Sequence, residues 1–267
     1  MTDFVVVPQW QGSASSRAMR LIDGALAIAG DLPRGATTIV AAPEEAGDAL
    51  GTGIRRLSAL RAAARAHAEA ARPATGRVVT IGGDAGVGTV AALHGAGEGS
   101  AVLWLSAQPS LHDVASSPTG AYASMAARAL VDPAIPPLDA SAVLPATHVV
   151  IAGARDATPA EIASADTLGV TLLPTVEIEP IITALSAARP SSLHIHVGVD
   201  VLDPAAIAGV TDPVPFGPDT AALIGAIRAA RDAAPAGSAS LTGFSPATPD
   251  AAADDMGTLL RIIGALA

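Results

Sequence analysis

The sequence predicts an α/β fold in which a parallel, eight-stranded sheet carries helices on both faces. Eight short runs rich in β-branched residues alternate with longer segments rich in alanine and leucine. Strands that alternate with helices form parallel sheets, because each helix carries the chain back across one face of the sheet. No linker rich in serine and proline and no internal repeat interrupts this alternation. We therefore expect one domain over residues 1–267.

The candidate strands are short and apolar, as buried parallel strands are. They cover Phe4–Val7, Thr37–Ala41, Arg77–Ile81, Ala101–Leu105, His148–Ile151, Val170–Leu173, Leu193–Val199 and Ser238–Phe244. The candidate helices lie near residues 16–29, 52–71, 86–96, 121–130, 158–167, 177–188, 218–233 and 250–266. Start signals support three of these helices. They are Thr158 with Pro159 and Glu161, Pro218 with Asp219, and Pro249 with Asp250.

Two missing residue types exclude several kinds of chemistry. The chain has no cysteine, which excludes thiol nucleophiles, disulfides and cysteine-bound zinc or iron–sulfur clusters. It has no lysine, which excludes Schiff-base chemistry and the lysine of a phosphate-binding loop. The net charge of −10 and the lack of a basic run argue against a nucleic-acid partner.

The sequence also predicts the compartment. Residues 1–10 lack the basic start and the apolar run of a signal peptide. No apolar run reaches the roughly 18 residues that a membrane-spanning helix needs. We therefore expect a cytoplasmic protein with no membrane partner.

Functional residues are expected on the loops that follow strands, because open α/β sheets bind ligands outside the carboxyl ends of their strands. Long loops follow two strand ends, at residues 106–120 and 200–218, and a glycine-rich turn follows the third strand. That turn fits either a dinucleotide-binding loop or a tight turn in which Asp84 caps the next helix. We favour the cap, because the next strand ends at Ser106 and not at the acid that would bind a ribose.

Four segments at strand ends carry a family resemblance. They are Gly82–Asp84, the Ser-Pro-Thr-Gly sequence at 117–120, Val199–Pro204 and Leu241–Pro246. In this order they resemble the ureohydrolase family, which comprises arginase, agmatinase, formiminoglutamase and their relatives, and the resemblance covers nearly the whole chain. It implies a three-layer α/β/α sandwich around an eight-stranded, mainly parallel sheet.

The resemblance also implies a metal site, because family members hold two manganese ions at these strand ends and hydrolyse guanidinium-type C–N bonds. Their ligands are two histidines and four aspartates. Five of the six corresponding positions have lost those side chains: Ala85, Ser106, Gln108, Ser110 and Gly198. Only Asp200 keeps its carboxylate. We therefore predict no metal and no other cofactor.

Positions that bind substrate in the family are replaced as well. Ala123 stands where the family has a histidine, and Gly243 stands where a glutamate grips the guanidinium group. Asp84 and Asp203 match aspartates that hold loops and turns in shape. Because buried aspartates without a metal repel one another, the joint loss of ligands indicates a long-standing metal-free state.

Two functions from different classes are consistent with these residues. In the first, the protein has lost dinuclear hydrolysis and binds a small molecule or a homologous subunit. Family members commonly form trimers or hexamers, so the partner is either a further copy of the chain or an active paralogue. In the second, a C–N hydrolase uses a rebuilt or mononuclear metal site around Asp200, His196 and His112.

Simpler roles compete with the rebuilt site. Strand alternation places His194, His196, Gly198 and Asp200 on one face of the sheet. His196 then fills a position on the face of a strand, and Asp200 accepts hydrogen bonds from loop amides. We favour these roles, and we expect His67 to be solvated on its helix, among Ala, Arg and Glu.

Overall fold

The computed structural model describes residues 2–139 and 143–267. Eight strands form one sheet in which every neighbouring pair is parallel. The strands are β1 (Thr2–Val7), β2 (Thr37–Ile39), β3 (Arg77–Gly82), β4 (Ser100–Leu105), β5 (Val149–Ala152), β6 (Thr171–Leu173), β7 (Ser192–Gly198) and β8 (Ala236–Thr242). Their order across the sheet is β2-β1-β3-β8-β7-β4-β5-β6. The predicted fold class is confirmed, and the sheet is entirely parallel.

The described residues form seven α-helices. They are α1 (Arg20–Asp31), α2 (Leu57–Ala71), α3 (Ala85–His94), α4 (Pro159–Leu168), α5 (Ile178–Ala188), α6 (Thr220–Ala233) and α7 (Pro249–Leu266). Caps fix the starts of several helices, as the sequence predicts. Asp84 accepts a hydrogen bond from the amide of Gly86, Asp219 caps α6, and Thr158 forms a capping box with Glu161.

The prediction of a helix over 121–130 is wrong. This segment forms two short 3-10 turns, Tyr122–Met125 and Arg128–Leu130. Two of its amides bond to distant parts of the chain, and its local bonds are those of short turns. The amide of Ala123 donates to the carbonyl of Gly12, and the amide of Arg128 donates to the carbonyl of Ser110.

Two separate cores show that helices cover both faces of the sheet. Leu103 and Leu105 of β4 pack into a core with α1, α5, α6 and α7. Val102 and Trp104 point the other way, into a core built with α2 and the 3-10 turns. Alternate residues of one strand therefore serve opposite layers, as the pleat of a strand requires.

The order of the strands positions the site. β3, β8, β7 and β4 are the four central strands, and their carboxyl ends meet at one edge of the sheet. The glycine-rich turn follows β3, and the two long loops follow β4 and β7. Within the described part of the chain, no helix is both long and apolar enough to cross a membrane.

Candidate functional site

A cleft of about 120 Å³ lies at the carboxyl ends of the central strands. The structure brings together around it all eight positions that the resemblance connects with metal or substrate. They are Ala85, Ser106, Gln108, Ser110, Ala123, Gly198, Asp200 and Gly243. His196 also lines the cleft, whereas His112 is not among its lining residues.

Asp200 is turned toward the loop that follows β4. Its Oδ2 atom accepts hydrogen bonds from Ser106 Oγ at 2.8 Å, the amide of Ala107 at 2.9 Å and the amide of Gln108 at 3.2 Å. Burial raises the pKa of Asp200 above that of an ordinary aspartate, and these hydrogen bonds oppose the shift. The carboxylate therefore serves as an anchor for the loop, as the simpler interpretation of this residue predicts.

Gly198 provides the space that this orientation needs. A Cβ atom built on Gly198 would overlap Asp200 Oδ1 and would lie 3.3 Å from Ser106 Oγ. The backbone of Gly198, with φ −81° and ψ 126°, is one that any residue adopts. The requirement for glycine therefore comes from the carboxylate of Asp200 and not from the chain conformation.

Asp84 is a buried structural acid at the floor of the cleft. Its carboxylate accepts hydrogen bonds from Gln9 Nε2 at 3.1 Å and from the amides of Gly12 and Gly86 at 2.9 Å each. Burial raises the pKa of Asp84, although the hydrogen bonds counteract this. Gln9 Nε2 contacts both carboxylate oxygens, so these three donors make four contacts. The side chain of Asp84 therefore links the loop after β1 to the start of α3.

His196 is held inside the protein by three neighbours. It is 1 % exposed, and its ring stacks on Trp104 with 3.6 Å between the ring centroids. Its Nδ1 atom lies 2.9 Å from Ser240 Oγ, and its Nε2 atom lies 3.5 Å from Thr242 Oγ1. Burial, helped by His194, lowers the pKa of His196 far below its ordinary value, so the ring is neutral.

His112 belongs to a different cluster, at the start of α4. Its Nδ1 atom lies 3.2 Å from Ser116 Oγ, and its Nε2 atom lies 3.6 Å from Glu161 Oε2. Glu161 also accepts from both the amide and the hydroxyl of Thr158. His112 thus supports the cap of α4, and the structure does not bring it into the cleft with His196 and Asp200.

The prediction that His67 is solvated is wrong. The residue is 2 % exposed, and its Nε2 atom lies 3.1 Å from Thr80 Oγ1 of β3. It shares the buried face of α2 with Leu60, Ala64 and Ala71. Spacings of three, four and seven residues define such a face, so this signal was present in the sequence.

Comparison with known proteins identifies the family. A model of the arginase family matches residues 17–255 of the chain. The chain belongs to the arginase family. A search of curated protein sequences finds no match to this arginase-family chain.

Solved structures support the same fold. An arginase from Entamoeba histolytica, in complex with L-ornithine, has a TM-score of 0.82 at 16 % identity, covering 99 % of this chain and 97 % of that one. An arginase from Bacillus caldovelox has a TM-score of 0.74 at 21 % identity, covering 99 % and 96 %. The proclavaminate amidino hydrolase of Streptomyces clavuligerus has a TM-score of 0.69 at 17 % identity, covering 99 % and 89 %. At these identities the likeness shows the fold alone.

The side chains of the cleft do not fit the two manganese ions that the family resemblance implies. Manganese prefers carboxylate and imidazole ligands, and a pair of divalent ions needs several anions to balance its charge. Here Ala85 and Gly198 offer no donor, and Ser106, Gln108 and Ser110 offer only neutral ones. Within residues 2–139 and 143–267, no group of three or more His, Asp or Glu side chains is arranged to hold a metal ion.

Several residues of the cleft are not evident from the sequence. Thr211 and Asp212 reach it from the loop after β7, and Thr242 reaches it from the end of β8. Thr242 pairs with Gly198, and Ser240 pairs with His196, because β8 lies beside β7. Only the order of the strands reveals these neighbours. Alternating hydroxyls at 240 and 242 are the one local signal that could have indicated a polar face on β8.

Proposed function

We propose that this member of the arginase family works without metal and binds a small polar molecule in the cleft, instead of hydrolysing a C–N bond. The orientation of Asp200 carries the proposal. Asp200 is the one acidic side chain among the six ligand positions, and its Oδ2 atom accepts hydrogen bonds from three donors of the β4 loop. A metal would compete with these donors for the carboxylate and would find no second carboxylate at the other five positions.

The lining of the cleft indicates the chemistry of its ligand. Ser13, Ser110 and Thr211 contribute hydroxyl groups, and the exposed residue Asp212 contributes an anionic acceptor. Among the described residues no Arg side chain lines the cleft, so a carboxylate or phosphate group would meet no countercharge from them. The ligand that fits best is small and rich in hydrogen-bond donors, such as an amine, an amide or a guanidine.

The rebuilt metal site is the competing function, and the arrangement of its proposed residues does not favour it. His112 is tied to Ser116 and Glu161, and both nitrogens of His196 face hydroxyl groups of β8. Asp200 faces the β4 loop. A mononuclear centre would need all three residues to leave these partners.

Metal analysis and calorimetry test the proposal together. The purified full-length chain is loaded with excess Mn²⁺, passed through a desalting column and analysed for metal per chain. It is then titrated with arginine, agmatine, urea and simple amides, and urea release is assayed. We expect no retained manganese, no urea release and saturable binding of at least one donor-rich compound. Tightly held metal at one or two ions per chain, or urea release, would contradict the proposal.

The assembly of this chain with further copies or with an active paralogue stays a prediction. Light scattering coupled to gel filtration measures the mass of the particle directly. Phe216 is the natural position to vary, because it is 92 % exposed on the loop after β7. A trimer or hexamer that dissociates in F216S would support assembly through this loop, and a monomeric wild type would contradict assembly of the chain with itself.

A further inference from the structure

A second and larger cavity lies at the opposite edge of the sheet. Its volume is about 500 Å³, and it is lined by the starts of β3, β4, β7 and β8 together with the ends of α2 and α3. We call it the amino-end cavity. The residues used below are His67, Thr80, His194 and Ser238, which line it, together with Arg72 and Arg77. None of the family's metal or substrate positions belongs to it.

His67, which lines this cavity, has a buried ring nitrogen with no hydrogen-bond partner in the described part of the chain. His67 Nε2 pairs with Thr80 Oγ1, but His67 Nδ1 has no partner among the described residues. Buried polar atoms are nearly always paired, and an unpaired one costs about 1–3 kcal/mol. A molecule in the cavity that reached this nitrogen would therefore gain a hydrogen bond that the protein itself does not supply.

His67 and His194 give the wall of the cavity a polar but uncharged surface. Burial lowers the pKa of His67 and of His194 to about 3, so both rings are neutral near pH 7. A neutral imidazole offers one donor and one acceptor, and a hydroxyl offers both. Arg77 Nη1 donates to the carbonyl of Leu266 at 2.9 Å. Arg72 is exposed at the rim of the cavity. The carboxyl ends of α2 and α3 lie at the same cavity, and their partial negative charge offsets the positive charge of Arg72.

A chain of hydrogen bonds leads from this cavity to the cleft. Ser238 Oγ lies 2.7 Å from His194 Nδ1, and His194 Nε2 lies 2.9 Å from Ser240 Oγ. Ser240 Oγ lies 2.9 Å from His196 Nδ1, and His196 lines the cleft. Ser240 is fully buried, so this part of the chain of hydrogen bonds runs through the interior of the protein.

The single hydroxyl proton of Ser240 couples the two rings. When His194 donates from Nε2, the proton of Ser240 turns to His196 Nδ1, and His196 carries its own proton on Nε2. When the direction reverses, both rings carry their protons on Nδ1. In both arrangements the two histidines share a tautomer. The alternative, in which both rings donate to Ser240, would leave the buried hydroxyl proton with neither ring as its acceptor, so we expect a partner that fixes His194 also to fix what His196 presents to the cleft.

We propose that the amino-end cavity binds a small uncharged molecule with both donor and acceptor groups, and that the chain Ser238–His194–Ser240–His196 transmits its presence to the cleft. The wall of neutral rings and hydroxyls matches such a molecule better than it matches an ion. The amino-end cavity and the cleft are separate, so binding in the amino-end cavity can be tested whatever the cleft binds.

Histidine-selective ¹⁵N NMR on the full-length chain tests the binding step. Acetamide, acetate and acetamidinium serve as probes of nearly equal size with zero, negative and positive charge. We expect acetamide to shift the His67 and His194 signals saturably, at least fivefold more tightly than either ion, and His67→Leu to lose this response. Equal or tighter binding of an ion, or no saturable shift, would overturn the proposed site.

The coupling has its own readout. In the wild type we expect His194 and His196 to carry their protons on the same type of nitrogen, and we expect acetamide to shift His196 as well. Ser240→Ala should abolish the response of His196 while His67 still responds. Ser192→Ala is the matched control, because Ser192 lines the same cavity but bonds to Ser100 outside the chain. Opposite tautomers of His194 and His196 would overturn the relay, and the wild type alone is enough for this measurement. An unchanged His196 response in Ser240→Ala would also overturn it.

Discussion

Asp200 occupies the space that a side chain at Gly198 would fill. A Cβ atom on residue 198 would clash with its Oδ1 atom, and its Oδ2 atom holds the β4 loop through Ser106, Ala107 and Gln108. In the family both positions carry metal-binding aspartates, according to the resemblance. In this chain the carboxylate of Asp200 supports the β4 loop, and the missing side chain at Gly198 leaves the space that this orientation needs.

A double-mutant cycle tests this relationship. Gly198→Ala should push Asp200 away from the loop and destabilise the protein by about 1–3 kcal/mol, since the donors of the loop lose their acceptor. Asp200→Ala should cost a similar amount. Because both substitutions remove the same hydrogen bonds, the double variant should be little worse than either single one. Urea unfolding measures the three free energies, and simple additivity would contradict the relationship.

A second glycine makes room for His196. A Cβ atom on Gly88 of α3 would overlap His196 Nδ1 and would lie 3.2 Å from Trp104. Gly88→Ala should therefore break the His196–Ser240 bond, change the fluorescence of Trp104 and destabilise the fold by about 1–3 kcal/mol. Gly264→Ala in α7 is the control. Apart from its own helix, no atom of the described residues lies within 4 Å of its added Cβ atom, so we expect about 0.5–1 kcal/mol of stabilisation. Equal effects at the two sites would contradict the role of Gly88.

The strands and the location of the site could be predicted from the sequence, because both depend on local patterns. Short apolar runs bounded by turns define the strands, and the long loops after β4 and β7 do line the cleft. The helix expected over 121–130 failed because its backbone partners, Gly12 and Ser110, come from distant segments. No property of residues 121–130 themselves reveals those partners.

Contacts between strands could not be predicted, because alternation gives the face of a residue and not its neighbour. His194 and His196 were expected on one face, and both contact Ser240. That contact arises only because β8 lies beside β7, two strands that are joined through α6. The contacts of Arg155 could not be predicted from the sequence either. Its guanidinium group donates to the carbonyls of Val201 and Val214 and so holds the loop after β7 in place.

The buried histidines predict a loss of stability in mild acid. The pKa of His67 is about 3 in the folded protein and about 6.5 when the chain unfolds, so the unfolded state binds more protons as the pH falls below 6.5. Between pH 7.5 and pH 5 this residue should remove about 2 kcal/mol of stability. The free energy of unfolding in urea, measured at both pH values, gives the difference.

Two variants isolate this effect from other titrating groups. His67→Gln should lose about 2 kcal/mol of the pH dependence, whatever its stability at pH 7.5. His94→Gln should keep most of the dependence, because burial, the larger of the two causes that lower the pKa of His67, is unchanged in that variant. The raised pKa values of Asp84 and Asp200 act in the opposite direction but are shared by all three proteins, so they cancel in the comparison. An identical slope in His67→Gln would show that His67 binds a proton as readily in the folded protein as in the unfolded chain.

Restoring the family's ligands should restore metal binding in this scaffold. The variant that combines Ala85→His, Ser106→Asp, Gln108→His, Ser110→Asp and Gly198→Asp surrounds the cleft with donors suited to manganese. Ser110 has a φ of +57°, a conformation that aspartate tolerates better than most residues. We expect retained Mn²⁺ to rise from background toward two ions per chain, and Asp200→Ala in the same background to lower it. Failure to bind any metal would contradict the assignment of these positions.

The restored protein should nevertheless hydrolyse guanidinium compounds poorly. The position of the family's substrate-gripping glutamate is Gly243, whose φ of +91° strains any residue with a side chain. Adding Gly243→Glu should therefore lower stability by about 1–3 kcal/mol, because the end of β8 would have to change its path. Urea release from arginine and agmatine, with and without this substitution, measures the outcome. Efficient hydrolysis by the five-site variant alone would show that residue 243 is not needed for substrate binding, and that the loss of metal ligands was the only barrier to the reaction.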